Sequence, residues 1–149
     1  MGLLDLLSPE IVKIPIEAQT KSEIIRELIE LLGAAGKIDD VPKAYDAVMA
    51  REAMGSTGLE MGIAVPHAKT DAVDTLTMSI GLSPVGVDFE AIDDQPSKLF
   101  FLILAPPDQS GPHIELLAEI ARITRSQVFL RLLMSAVSPE EVVELFTEE

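Results

Sequence analysis

The stretch TLTMSIGLSPVGVDFEAIDDQPSKLFFLILA, Thr75–Ala105, decides the architecture. Leu76, Met78, Ile80 and Leu82 alternate with smaller or polar residues, the period-two pattern of a strand with one buried face. SPVGVDFEA reads as a turn and a further short strand, and DDQPSK as a loop. LFFLILA, Leu99–Ala105, is apolar throughout, as expected for a strand covered on both faces. Strand follows strand here with no helix between, so strict βαβ alternation fails and the sheet is expected to be mixed.

Helical patterns lie on either side. Downstream, PPDQSGP breaks the chain and HIELLAEIARI reads as an amphipathic helix packing through Leu116, Leu117, Ile120 and Ile123. Ser126 suits the cap of a helix over QVFLRLLMSA, and Ser138, Pro139 and Glu141 form the start signal for another over EVVELF. Upstream, Thr20 and Glu23 form a capping box for TKSEIIRELIELLGAAG, which Gly33 and Gly36 can end. Pro42 suits the first turn of a helix through Ala44, Val48 and Met49 towards Met54. EIVKIPI reads as an edge strand because of Pro15, and GIAVPHA as a short strand stopped by Pro66. The expected fold is α/β: a single domain, residues 1–149, with a mixed parallel/antiparallel sheet flanked by helices on both faces.

Composition limits the functions available. The chain has 149 residues, of which 48% are hydrophobic, enough for a core. It has no tryptophan and 4% aromatic residues, so that core must be mostly aliphatic. The absence of cysteine rules out disulfides and thiolate metal sites and fits a reducing cytoplasm. MGLLDLLSPE lacks the pattern of a secretory signal, and no apolar run approaches the ~20 residues of a membrane span. A cytoplasmic location without direct membrane insertion is expected. The net charge of −14 disfavours nucleic acid and anionic membranes and leaves neutral or basic proteins as compatible partners.

The chain contains two histidines, and both follow expected strands. His67 ends GIAVPH, where a side chain can project into a crevice; alone, structural and functional roles are equally open to it. His113 falls in the first turn of a helix, where the dipole favours neutral imidazole; alone, it reads as an exposed first-turn residue. Arg51 offers a planar fork for phosphate or carboxylate, or else is a helix arginine paired with an acid. Ser56 and Thr57 can offer donors to an anion, or else cap a turn. GSTG fits neither a phosphate-binding P-loop, a dinucleotide fingerprint nor a serine-hydrolase elbow. A zinc site built from His67, His113 and Asp71 is the chemical rival, although the spacing matches no established ligand motif.

REAMGSTGLEMGIAVPHA, Arg51–Ala68, resembles the active-site signature of enzyme IIA domains of the bacterial sugar phosphotransferase system, of the fructose–mannitol type that includes nitrogen-regulatory IIA proteins. The resemblance covers essentially the whole chain, and VDFEAIDDQP looks closer to the nitrogen-regulatory branch. It implies a phosphocarrier in which His67 accepts a phosphoryl group on Nε2 from an HPr-type carrier or its nitrogen-branch relative. The group then passes to a IIB acceptor, or is held as a regulatory state. It further implies that Arg51 stabilises the phosphoryl oxygens, that His113 supports the active histidine, and that no metal or organic cofactor is needed. Ser56 and Thr57 are the candidate phosphate-binding residues beside them. The alternative is a module that controls target proteins through its phosphorylation state without onward transfer. This family often reads GNG before the IAVPHG-like run; here Glu60, Met61 and Gly62 stand in its place and Ala68 follows His67, departures that bear on partner preference or transfer rate.

Overall fold

A computed structural model describes residues 2–148. In order these form α1 (Leu3–Leu6), a 3-10 turn (Pro9–Ile11), β1 (Val12–Lys13), α2 (Lys21–Ala34), α3 (Val41–Ala53), β2 (Ile63–Ala64), β3 (His67–Lys69), β4 (Thr77–Val87), β5 (Ser97–Ala105), α4 (Ser110–Ile123), α5 (Gln127–Met134) and α6 (Pro139–Glu148).

The three cap residues act as read, although the Thr20–Glu23 box does not close, because the Glu23 carboxylate takes the Thr20 hydroxyl and not its amide. Thr20 Oγ1 accepts the Glu23 amide at 3.3 Å and donates to the Glu23 carboxylate at 2.8 Å. Ser126 and Ser138 accept the amides of Phe129 and Glu141 at the starts of α5 and α6. In α2, Ile24, Ile25, Leu28, Ile29 and Leu32 are fully buried, each contributing about 1.5–3 kcal/mol relative to exposure. Gly33 does not end this helix; Gly36 does, at φ +75°. The Lys37 amide reaches the Leu32 carbonyl at 2.9 Å and the Gly36 amide that of Gly33 at 3.1 Å. That bond pair is a Schellman cap, which needs a left-handed residue.

β5 is the centre of the sheet. β4 runs antiparallel to it, from Thr77↔Leu104 to Leu82↔Leu99. On the other side β2 and β3 both run parallel to it, with Ile63↔Leu99 and His67↔Ile103 in register. β1 lies parallel on the outer side of β4 and forms that edge, as Pro15 implied. The sheet is mixed, as expected. β1 is shorter than EIVKIPI because Pro9–Ile11 coils into a 3-10 turn first.

β4 departs from its sequence reading in two ways. It is one strand of 11 residues with a bulge between Leu82 and Val87, rather than a strand, a turn and a second strand. It is also covered on both faces: Thr77, Ser79 and Ser83 are as buried as Met78 and Ile80. These residues are small because α2 lies on them, and Ser79 Oγ donates to the Leu28 carbonyl at 3.2 Å. Alternation of large and small residues was thus mistaken for alternation of buried and exposed ones.

Residues in register share a face. Phe101 packs edge-on against Phe146 of α6, and Phe146 against Phe129 of α5. The face carrying Phe101, Ile103 and, through its register, His67 therefore looks towards α4–α6, while Ser79 and its partner Leu102 look towards α2. Helices cover both faces, and one contiguous, mostly aliphatic core joins them through the sheet. Among the described residues no helix is long and apolar enough to cross a membrane.

Candidate functional site

Pro66 does not stop the strand before His67; it interrupts it. The regular strand is broken at Val65 and Pro66, but the register with β5 runs on from Ala64↔Phe100 to His67↔Ile103, and the Pro66 carbonyl still accepts the Ile103 amide at 3.0 Å. The Val65 amide goes to the Thr57 carbonyl at 3.1 Å rather than to β5, and the Val65 carbonyl lies 2.8 Å from Nδ1 of His67. A carbonyl oxygen only accepts, so Nδ1 carries a proton, and in the neutral ring Nε2 is the nitrogen with the lone pair. A half-buried histidine held this way at a sheet edge has one nucleophilic nitrogen in a fixed place.

His113 approaches from α4. The helix starts at Ser110, ahead of Gly111 and Pro112, so His113 falls where the amides begin to bond within the helix, its own reaching Gln109 at 3.1 Å. The residue is 5% exposed, unlike the exposed residue of its bland reading. Its ring lies edge-on to that of His67, with centroids 5.4 Å apart and planes at 70°. Its Nε2 is buried without a hydrogen-bond partner among the described residues, a costly state for a polar atom. Burial, reinforced by the neighbouring His67 and Lys69, holds its pKa below the ordinary histidine value.

A stability prediction follows from that shift. The native state resists protonating His113, whereas the unfolded chain protonates it at about pH 6.5. The unfolded state then binds more protons, so its contribution to stability is present above that pH and is lost as pH falls towards the depressed native value. The urea midpoint should fall more steeply between pH 7.5 and 5.5 in wild type than in His113→Asn. Equal slopes in the two proteins would remove His113 as the cause.

Arg51 stands in the last turn of α3, where its Nη1 donates to the Gly55 carbonyl at 2.9 Å. Among the described residues it belongs to no ion pair, so the acid partner of its bland reading is missing. Two surface depressions, of about 250 and 480 Å³, share Arg51, His67 and Leu117. His113, Met54 and Ile114 line the larger one. Ser56 and Thr57 line the smaller one.

The protons of both hydroxyls are already committed. Ser56 Oγ donates to the Phe89 carbonyl at 2.7 Å and accepts from the Gly58 amide at 3.0 Å. Thr57 Oγ1 donates to the carboxylate of Glu52, which also takes the Thr57 amide at 3.2 Å. Gly58 completes this turn because no side chain fits: a Cβ there would lie 2.9 Å from the Ala91 backbone.

Sequence reasoning missed Glu52 and its partner Lys21. The Lys21 ammonium lies 2.8 Å from the buried Glu52 carboxylate and 3.2 Å from Glu90. Burial works to lower the Lys21 pKa, but the two carboxylates outweigh it and hold the ammonium above its ordinary value. A signal was present. Lys21 is the first residue of α2 and Glu52 the penultimate one of α3, each at the helix end where the macrodipole opposes its charge.

The approach to His67 passes through Met61 and Gly62, at φ +64° and +76°. A left-handed backbone costs a non-glycine residue about 1–2 kcal/mol, and asparagine tolerates it best. Met61 is 45% exposed and offers little packing in return. Met61→Asn should therefore raise the urea-derived stability by about 0.5–1 kcal/mol. An unchanged or lowered midpoint would show that the methionine makes up the strain elsewhere.

The rival metal set does not assemble. Asp71 pairs with Lys43, and among the described residues no three histidine or acidic side chains converge to hold an ion.

Comparison with known proteins places this geometry in context. Residues 5–149 match the family model described as phosphoenolpyruvate-dependent sugar phosphotransferase system, EIIA 2. A fructose-specific EIIA component from Haloferax volcanii is 36% identical over 93% of this chain and 90% of its own length. A nitrogen regulatory protein from Klebsiella oxytoca is 36% identical over 99% of this chain and 91% of its own. Against a fructose-specific EIIABC component from Bacillus subtilis, 32% identical, the chain spans 23% of the relative's length. Among solved structures, the crystal structure of the nitrogen regulatory protein IIA-Ntr from Neisseria meningitidis superposes with a TM-score of 0.88 at 28% identity, covering 96% of this chain and 97% of that one. A complex of Escherichia coli mannitol IIA with phosphorylated mannitol IIB gives 0.81 at 27% identity, covering 96% and 98%.

Proposed function

The chain belongs to the EIIA 2 family of the phosphoenolpyruvate-dependent sugar phosphotransferase system, and we propose that it is a cytoplasmic histidine phosphocarrier acting through His67 as one EIIA unit, residues 1–149. The observation that carries this reading is the hydrogen bond from His67 Nδ1 to the Val65 carbonyl. It leaves Nε2 free as the nucleophile beside the unpartnered His113 and the unpaired Arg51.

In the proposed step the Nε2 lone pair attacks phosphorus as the bond to the donor's phosphohistidine nitrogen breaks. The phosphoryl group changes hands and the donor leaves as neutral imidazole. Positive charge on the newly bonded imidazole is met by the Val65 carbonyl at Nδ1–H. Phosphoryl transfer needs chiefly positioning and charge stabilisation at the equatorial oxygens. The Arg51 fork supplies a permanent cation there. A phosphoryl oxygen would also give the buried Nε2 of His113 the partner it lacks. Ser56 and Thr57, with their protons committed, serve this reading as walls that shape the turn.

The donor we propose is an HPr-type phosphocarrier protein, and the acceptor a IIB domain of the kind seen with mannitol IIA. Exposed Met54, Leu59, Met61 and Ile114 suit a protein surface docking over the site. Use of the phosphorylated form as a signal to regulatory targets, as the resemblance to nitrogen-regulatory proteins suggests, is the other fate.

Incubation with phosphoenolpyruvate, enzyme I and an HPr-type carrier tests the reading. Acid-labile phosphate should appear on the wild type, and a chase with IIB domains separates onward transfer from retention. No label from a donor that charges another EIIA would sink the phosphocarrier assignment.

A further inference from the structure

A continuous series of bonds reaches His67 from the far side of its loop. Lys21 Nζ meets Glu52 at 2.8 Å; Glu52 accepts both the amide (3.2 Å) and the hydroxyl of Thr57; the Thr57 carbonyl accepts the Val65 amide at 3.1 Å; and the Val65 carbonyl accepts Nδ1–H of His67 at 2.8 Å. Glu52, Thr57 and Val65 are all buried, so water does not readily replace a lost link. We propose that Lys21 and Glu52 are positioning residues that hold His67 in its reactive tautomer through Thr57 and Val65.

A free histidine side chain prefers its proton on Nε2, the tautomer that cannot attack phosphorus. The Nδ1–H form must therefore be imposed, and among the described residues the one acceptor for Nδ1 is the Val65 carbonyl. β5 bonds the next carbonyl along, that of Pro66, through the Ile103 amide at 3.0 Å, so it does not by itself fix the Val65 carbonyl. The Val65 amide bound to Thr57 does, and Thr57 is in turn clamped twice by Glu52.

The charge placement supports the same conclusion. Lys21 and Glu52 each sit against the dipole of their own helix, so helix stability alone favours neither. What they gain is each other, a link between the first residue of α2 and the last turn of α3. Glu52 immediately follows Arg51, so the same clamp sets the phosphoryl-facing cation. Lys21 also lies 4.9 Å from the Phe89 ring centroid, and the Phe89 carbonyl takes the Ser56 hydroxyl, which ties down the other side of the turn.

The kinetic consequence rests on the phosphocarrier reading; the tautomer does not. Imidazole nitrogens of the full-length protein, labelled with ¹⁵N, should be followed above the titration of His67 in wild type, Glu52→Gln, Thr57→Val and Thr57→Ser. Wild type and Thr57→Ser should show Nδ1 protonated and Nε2 bare. Thr57→Val and Glu52→Gln should show a mixture containing Nε2–H, with phosphoryl acceptance slowed about 10- to 100-fold, the scale of small misplacements of a reacting group. The near-isosteric Thr57→Val keeps the test open if Glu52→Gln folds poorly. An unshifted Nδ1–H tautomer in natively folded Thr57→Val and Glu52→Gln would overturn the proposal. A wild type that takes no phosphate would instead sink the phosphocarrier reading and leave the tautomer to decide this one.

Discussion

His67→Ala should reduce acid-labile phosphate to the background of the assay while leaving the fold intact. His67 lies at the outer edge of the sheet, half-buried, and its side chain makes one hydrogen bond, to a carbonyl two residues away. Losing that bond costs about 0.5–1.5 kcal/mol, little beside the aliphatic core. The chemical loss is total, because the nucleophile itself is gone. His113 is not expected to substitute for it: its Nε2 is buried beneath the site rather than presented to a docking protein. Circular dichroism and the urea midpoint should stay close to wild type. Label that persists on a folded His67→Ala protein would move the acceptor elsewhere, His113 first.

Arg51→Ala should slow acceptance by about 10²–10³-fold, the usual cost of removing a preorganised group from a transition state in which charge develops. Arg51→Lys should recover part of that. It keeps the cation but loses the planar fork that holds the Gly55 carbonyl with one nitrogen and leaves others for phosphoryl oxygens. The stability cost should be small in both, since Arg51 is in no ion pair among the described residues. Transfer rate measured against urea midpoint separates the two effects. A midpoint that collapses while the rate per folded molecule stays at the wild-type value would make Arg51 a structural residue of the α3 terminus.

The elements most legible in the sequence were those whose signals are local. Thr20, Ser126 and Ser138 announce helices because a cap is a bond between neighbours in the chain. Leu99–Ala105 announces the central strand because burial on both faces leaves no polar position. β4 was harder, since Ser79 and Thr77 look polar on paper and lie under α2 in the fold. Pro66 was read as the end of a strand because proline lacks the amide; that β5 is long enough to pair again with His67 is a tertiary fact.

The site divides along the same line. His67, His113 and Arg51 are separated by up to 62 positions, yet they stood out as a rare residue type and a motif, and the structure places Arg51 and both histidines around one depression. Of the two histidines, His67 lies in the edge strand β3, whereas His113 arrives from helix α4. Glu52 and Lys21 did not stand out, because acid and base are common on helices and their pairing spans 31 positions. Only their placement against both dipoles marks them, and that cue needs the helix ends to be known first.

The central claim is that His67 Nε2 takes the phosphoryl group. Charging the ¹⁵N-labelled protein with phospho-HPr and recording the imidazole nitrogens and the ³¹P resonance tests it directly. A phosphorus–nitrogen coupling to Nε2 of His67 is expected, with Nδ1 still carrying its proton. Coupling to Nδ1, or to either nitrogen of His113, would contradict it.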